Sequence, residues 1–177
     1  SHLERGVAGR ISETPTAENP IFDRVNTHVL ADGFTALEAA AGAVAESNFE
    51  PLVLSSRIEG EARDVGATHA AIVEEMVATG HPVEPPAVLL SGGETTVSLT
   101  GDGRGGPNQE FALSAALETD ADAVVAAVDT DGIDGNSPAA GAMLDADDGF
   151  DTTTARTSLE EHDVFPYLEE QGSLVST

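Results

Sequence analysis

The sequence predicts an α/β domain built on a mixed, largely parallel sheet flanked by helices. Short apolar runs alternate with helix-period segments from about residue 35 onward, the pattern of a sheet covered by helices. Loops rich in Gly, Asp and Ser stand where those runs end. A chain of 177 residues also has the length of one domain, or of two small ones, and can bury about 70% of its unfolded surface.

Residues 1–27 read as an irregular lead-in, broken by Pro15 and Pro20, with Ser1-His2 as a cloning remnant. Residues 28–177 read as a single α/β domain. A helix is predicted over 35–48, where Thr35 and Glu38 have capping-box spacing. The apolar run 51–56 predicts a strand covered on both faces. A second helix, 61–79, carries Val65, Ile72, Val73, Met76 and Val77 near one stripe and stops at Gly80. After a Pro-rich connector comes a buried strand at 87–90. Ser91-Gly92-Gly93-Glu94 reads as a turn, and 95–100 alternates like a strand. The glycine-rich loop 101–107 leads into a helix at 108–118. A doubly covered strand follows at 123–128, then an Asp/Gly loop at 129–138. A strand at 141–144, helices at 153–162 and 165–171, and a strand at 173–176 complete the series. The chain breaks off inside that last run, which reads as a fragment.

Composition narrows the function. Thirty-two Asp and Glu face seven basic residues, all arginine, for a net charge of -25. Such a surface has no means of neutralising phosphates along a nucleic acid, and docking on an anionic membrane is equally disfavoured. No apolar run approaches the roughly 20 residues of a spanning helix, and there is no cysteine for disulfides or thiolate chemistry. With aromatics at 4% and hydrophobic residues at 40%, the core must be aliphatic and Ala-rich. A mean hydropathy of only -0.09 argues against disorder, which needs low hydrophobicity as well as charge. Excess carboxylate without lysine fits a cytoplasm of high ionic strength, where the Debye length falls to about 3 Å near 1 M salt and self-repulsion fades.

Ligands of α/β sheets bind beyond the carboxyl ends of strands. Three loops qualify: 91–95, 101–108 and 129–136. In the second, Gly105, Gly106 and the start of a helix at Asn108 offer backbone N–H groups to an anion. Arg104 adds a guanidinium suited to carboxylate or phosphate. In the third, Asp129, Asp131 and Asp134 have spacing that can converge on Mg²⁺ or on substrate hydroxyls. The five histidines (2, 28, 69, 81 and 162) show no ligand spacing and read as surface or capping residues. Gly101, Gly103 and Gly106 also satisfy the GxGxxG dinucleotide pattern. A nicotinamide-dependent reductase domain and a non-catalytic acidic interaction module therefore stay open beside a small-molecule enzyme.

The segments LLSGGETTVSLTG (89–101), GRGGPNQEFAL (103–113) and DTDGIDGNSPAAGAMLD (129–145) together resemble the C-terminal domain of bacterial and archaeal glycerate 2-kinases. This is the MOFRL-type family, also labelled hydroxypyruvate reductase. The resemblance spans about 25–177. It implies a two-domain enzyme that transfers the γ-phosphoryl of ATP, with Mg²⁺, to the 2-hydroxyl of D-glycerate in an interdomain cleft. It further implies an N-terminal kinase domain of the same polypeptide as partner, an inactive isolated fragment, and a homodimer as a compatible assembly. Arg104 matches the family's active-site arginine, and Asp131 and Asp134 match its acids, with Asp131 catalytic and both as metal ligands. Ser91, Gly92, Gly93, Glu94, Thr95, Gly105, Gly106, Asn108, Gln109 and Glu110 match its substrate- and phosphate-facing loops. The sequence departs from the family at Asp129, often glycine, and at Asn136-Ser137-Pro138, which replaces a Pro-Thr-Asp-like run.

Overall fold

The computed structural model describes all residues but Glu13, Asp148 and Phe150. The chain forms two compact units, Ser1–Asp32 and Gly33–Thr177, so the boundary falls a few residues beyond the expected one. The first unit is not wholly irregular. It holds helix α1 (His2–Val7), whose N-terminus Ser1 and Glu4 close as a capping box. It also holds a 3₁₀ turn over Pro20–Arg24, with proline where a missing N–H is harmless.

In the second unit, α2 (Gly33–Ala45) begins two residues before the expected cap, leaving Thr35 in its first turn. Strand β1 (Glu50–Glu61) is twice as long as its apolar run. Helix α3 (Ala62–Thr79) stops at Gly80 in the left-handed conformation, as the sequence indicated. β2 (Ala87–Thr96) is one continuous strand. The turn expected at 91–94 and the strand at 95–100 are therefore corrected: Ser91 to Thr96 pair in parallel with β1 through two register shifts, and residues 97–100 are irregular. The reason lies at Gly93, where φ is +154° and a Cβ would collide with the Ile58 carbonyl of β1. Glycine here serves a close strand approach, not a reversal.

α4 (Pro107–Glu118), β3 (Val124–Val128), β4 (Gly141–Asp145), α5 (Thr152–Glu160), α6 (Val164–Gln171) and β5 (Leu174–Val175) follow. β1 and β2 form a parallel pair, while β3, β4 and β5 form a second, antiparallel set. The longer strands lie in the parallel pair. The core sits between α4, α5, α6 and the second set: Ala112, Leu113 and Ala116 meet Leu144, Ala155, Val164 and Leu168. It is aliphatic and Ala-rich, as the composition required. β3 is covered on one face only. Val125 and Ala127 pack on the core, whereas Val124 is 63% exposed. An unbroken Val/Ala run does not say which face will be covered.

Candidate functional site

A cleft of about 1230 Å³ runs between β2 and β3, with α2, α3 and α4 also contributing walls. Its body is apolar, lined by residues such as Val73, Met76, Leu89 and Val125. The polar lining includes Ser91, Glu94 and Thr95 from the second half of β2, Asn108 from the first turn of α4, and Asp129 and Thr130 just after β3. Gly92 and Gly93 complete the wall, and Gly92 passes against Leu37 of α2. The whole 91–95 segment thus faces one cleft.

Asp134 does not face it. Its carboxylate is fully enclosed and sits at the N-terminus of α4. Oδ1 accepts from the Asn108 N–H (3.0 Å) and Nδ2 (3.1 Å), and Oδ2 from the Gln109 N–H and Nε2, both at 2.9 Å. Gly106, the residue ahead of the helix, has no side chain to cap it. Asp134 supplies that cap from 26 residues away, and its charge suits the helix dipole. A Cβ at Gly106 would overlap the Asp134 carboxyl, so only glycine admits the contact. The anion site expected at this helix start is filled by the protein's own carboxylate.

The rest of the 101–108 loop is tied down in the same way. The Gly105 N–H donates to Asn136 Oδ1 (2.9 Å), Asn136 N–H to the Gly105 carbonyl (3.1 Å), and Asn136 Nδ2 to the Gly103 carbonyl (3.0 Å). Ser137 Oγ donates to the Asp134 carbonyl at 2.9 Å and accepts from Gln109 Nε2 at 2.7 Å. The two loops are latched through backbone and amide groups, and the Gly105 amide is already taken. Gln109 and Glu110, expected at the cleft, are buried instead. Glu110 Oε1 lies 3.0 Å from His162 Nδ1, and burial pushes the Glu110 carboxyl above its ordinary range even though the His162 bond opposes this.

Arg104 is exposed. Its guanidinium stacks on the Phe165 ring, 4.3 Å from the centroid. Its N–H donates to Asp163 Oδ1 at 2.8 Å, and its carbonyl accepts from the Phe165 N–H at 2.8 Å. Asp131 is exposed too, its Oδ1 accepting from the Ile133 N–H at 2.8 Å. Neither lines the cleft. The backbones of the 104 and 134 loops lie side by side, but Arg104 and Asp131 are not brought onto the polar groups of β2.

Two of the histidines expected at the surface or as caps, His69 and His162, are buried. His69 lies on the buried stripe of α3 with Ala62, Gly66, Ala70 and Met76 and lines the cleft; its spacing from those small residues was the available signal. His162, with φ of +54°, meets through Nδ1 a carboxylate 52 residues away. Among the described residues, no three His, Asp or Glu side chains are grouped to hold a metal ion. No helix among them is long and apolar enough to cross a membrane.

Residues 87–177 match the MOFRL family model. The glycerate 2-kinase of Pyrococcus horikoshii is 38% identical over 99% of this chain and 41% of its own length. A protein of Agrobacterium vitis named as a hydroxypyruvate reductase is 42% identical over 86% of this chain and 42% of its own. The crystal structure of glycerate kinase from Thermotoga maritima superposes with a TM-score of 0.81 at 31% identity, over 86% of this chain and 38% of that one. The chain thus spans about two fifths of the length of these relatives. A family model that covers β2, α4 and every element after them, joined to a solved fold of the same architecture, places the chain in the MOFRL family of glycerate kinase-like proteins.

Proposed function

We propose that this chain forms one half of a glycerate 2-kinase, which transfers the γ-phosphoryl group of ATP to the 2-hydroxyl of D-glycerate. The observation that supports this reading is the cleft, whose lining includes hydroxyl, amide and carboxylate groups from β2, the residues after β3 and the start of α4. A small hydroxy acid carries hydroxyls and a carboxylate and needs both donors and acceptors around it. The names of the Pyrococcus and Thermotoga relatives point the same way. Arg104, stacked on Phe165, stands outside this cleft and would meet the anionic end of the substrate only where the N-terminal domain completes the site. The N-terminal domain of the same polypeptide would close the site from the other side, and residues 1–177 alone are expected to be inactive. A homodimer is compatible with this arrangement.

Magnesium fits these residues poorly. Asp134 has both oxygens saturated by four donors, and Asp131 has one oxygen left over. One carboxylate can support Mg²⁺ only alongside nucleotide phosphates and water, so the ion would rest mainly on groups from outside this chain. The dinucleotide alternative loses its basis as well. A pyrophosphate belongs at the helix start that follows GxGxxG, and there Asp134 would repel it. The concave cleft argues against a pure interaction module.

Phosphorylation of glycerate by the full-length polypeptide, assayed with ATP in molar KCl and with the product resolved as 2- or 3-phosphoglycerate, tests the reading. Absence of ATP-dependent turnover would sink it. NADH-dependent reduction of hydroxypyruvate by the same sample would replace it with the reductase. The acidic surface belongs, on this reading, to a high-salt cytoplasm. The protein is expected to unfold cooperatively on dilution from molar KCl into low-salt buffer, followed by circular dichroism. Full stability in dilute buffer would end that assignment.

A further inference from the structure

His69 is a buried imidazole whose two nitrogens are both engaged. Nδ1 lies 2.8 Å from the Val65 carbonyl oxygen, one turn earlier in α3. A carbonyl only accepts, so Nδ1 carries the proton. In the neutral ring Nε2 is then an acceptor, and the partner 2.9 Å away is Ser91 Oγ, which must donate. The Phe111 ring meets the imidazole edge-on at 5.0 Å and 73° and fixes its plane. Ser91 therefore has its single proton on His69 and only lone pairs left for the cleft. A hydroxyl in that state accepts hydrogen bonds. It suits an alcohol O–H, not a phosphate or carboxylate oxygen.

Of the three acids whose spacing pointed to substrate hydroxyls, Asp134 is enclosed and Asp131 lies outside the walls; Asp129 lines the cleft, and no hydrogen bond ties it to Ser91. We propose that Ser91 and His69 form a proton relay for the substrate alcohol. The relay rests on the kinase reading above. As the alcohol oxygen bonds to the terminal phosphorus of a nucleoside triphosphate, the bond from that phosphorus to its bridging oxygen breaks, and the nucleoside diphosphate leaves. The alcohol proton passes to Ser91 Oγ, and the Ser91 proton passes to His69 Nε2. An imidazolium results, with Nδ1–H still on Val65. Ser91 touches the substrate; His69 acts through it.

Other ionisable groups surround this pair at greater remove. Glu94 on β2 and Asp122 and Asp129 flanking β3 line the cleft. On α4, Glu110 is turned to His162. On β1, Glu61 holds Ser98. Arg63 and Asp64 stand in the first turn of α3, with Glu74 and Glu75 beyond His69.

The test is the pH dependence of kcat and KM for the full-length polypeptide carrying His69→Gln, Ser91→Ala or both. Wild type should lose kcat as pH falls and the imidazole takes up a proton. Glutamine can still accept the Ser91 hydrogen bond but cannot take its proton. His69→Gln should therefore lower kcat about 100-fold, move KM for glycerate by less than about threefold, and abolish the acid limb. Ser91→Ala should do the same, with the double variant no worse. A His69→Gln enzyme within about threefold of wild-type kcat, or an acid limb that survives Ser91→Ala, overturns the relay. Thermal melts check that the variants fold; should His69→Gln not fold, Ser91→Ala, which removes one oxygen, decides alone. Nitrogen-15 spectra of the imidazole give a readout independent of turnover: a proton on Nε2 instead of Nδ1 overturns the proposal. Inactive wild type would sink the kinase reading, whereas active wild type with unaffected variants sinks the relay only.

Discussion

Two polar regions stand at the tips of this fold, and they have opposite fates. Where loops 101–108 and 129–138 meet, the groups at the junction are bound by others of the protein: Asp134 by four donors, Asn136 by three backbone partners, the Gly105 amide by Asn136. In the second half of β2, Ser91, Glu94 and Thr95 line an open cleft, and the Ser91 hydroxyl meets His69. Both regions are rich in glycine and acid. The difference is whether backbone donors from a distant segment come within reach. A carboxylate set against the start of a helix becomes part of the scaffold, while the hydroxyls of β2 stay on the wall of a cleft.

The sharpest way to break that comparison is Asp134→Ala. It strips four donors of their acceptor in a fully buried place, which should destabilise the fold by about 3–5 kcal/mol, read as a denaturant midpoint in molar KCl. A loss below about 1 kcal/mol would mean the latch is not structural. Asn136→Ala removes the clasp between the loops and should cost about 1–2 kcal/mol in the same titration. At Arg104 the readout is catalytic. Arg104→Ala in the full-length polypeptide should lower kcat/KM at least about tenfold, by analogy with the loss of a charge-stabilising donor, with little change in stability; an unchanged value removes Arg104 from the site.

The smallest expected effect is at Glu110. Its folded-state pKa is raised, so its contribution to stability is present in full below the ordinary carboxyl value of 4.5 and is lost as pH rises through the raised one. Glu110→Gln should flatten that decline: wild type should lose melting temperature relative to the variant as pH rises above about 4.5. Parallel pH curves for the two proteins would show that burial of this carboxyl has no energetic consequence.

Much of this could be read before any coordinates. The helix at 108–118 was legible because Pro107 starts it and its apolar residues follow; α3 was legible from its stripe and from Gly80. The 91–95 segment lines the cleft, where its polar residues pointed before any coordinates. Its local shape was misread, since Ser-Gly-Gly looks the same in a turn as in a strand that must pass close to its neighbour. Asp134 was legible as important but not as enclosed, because its partners lie 25 and 26 residues upstream. His69 was missed because a lone histidine gives no spacing signal unless the buried stripe around it is weighed.

The order of residues by itself determined the helices, most strands, the aliphatic core and the acidic skin, because these follow from short-range periodicity, capping and composition. Tertiary structure alone decided which acid is inside and which outside, which face of β3 is covered, and which serine meets an imidazole. Those outcomes depend on hydrogen-bond reach between segments far apart in the chain, and distance of that kind is set by packing.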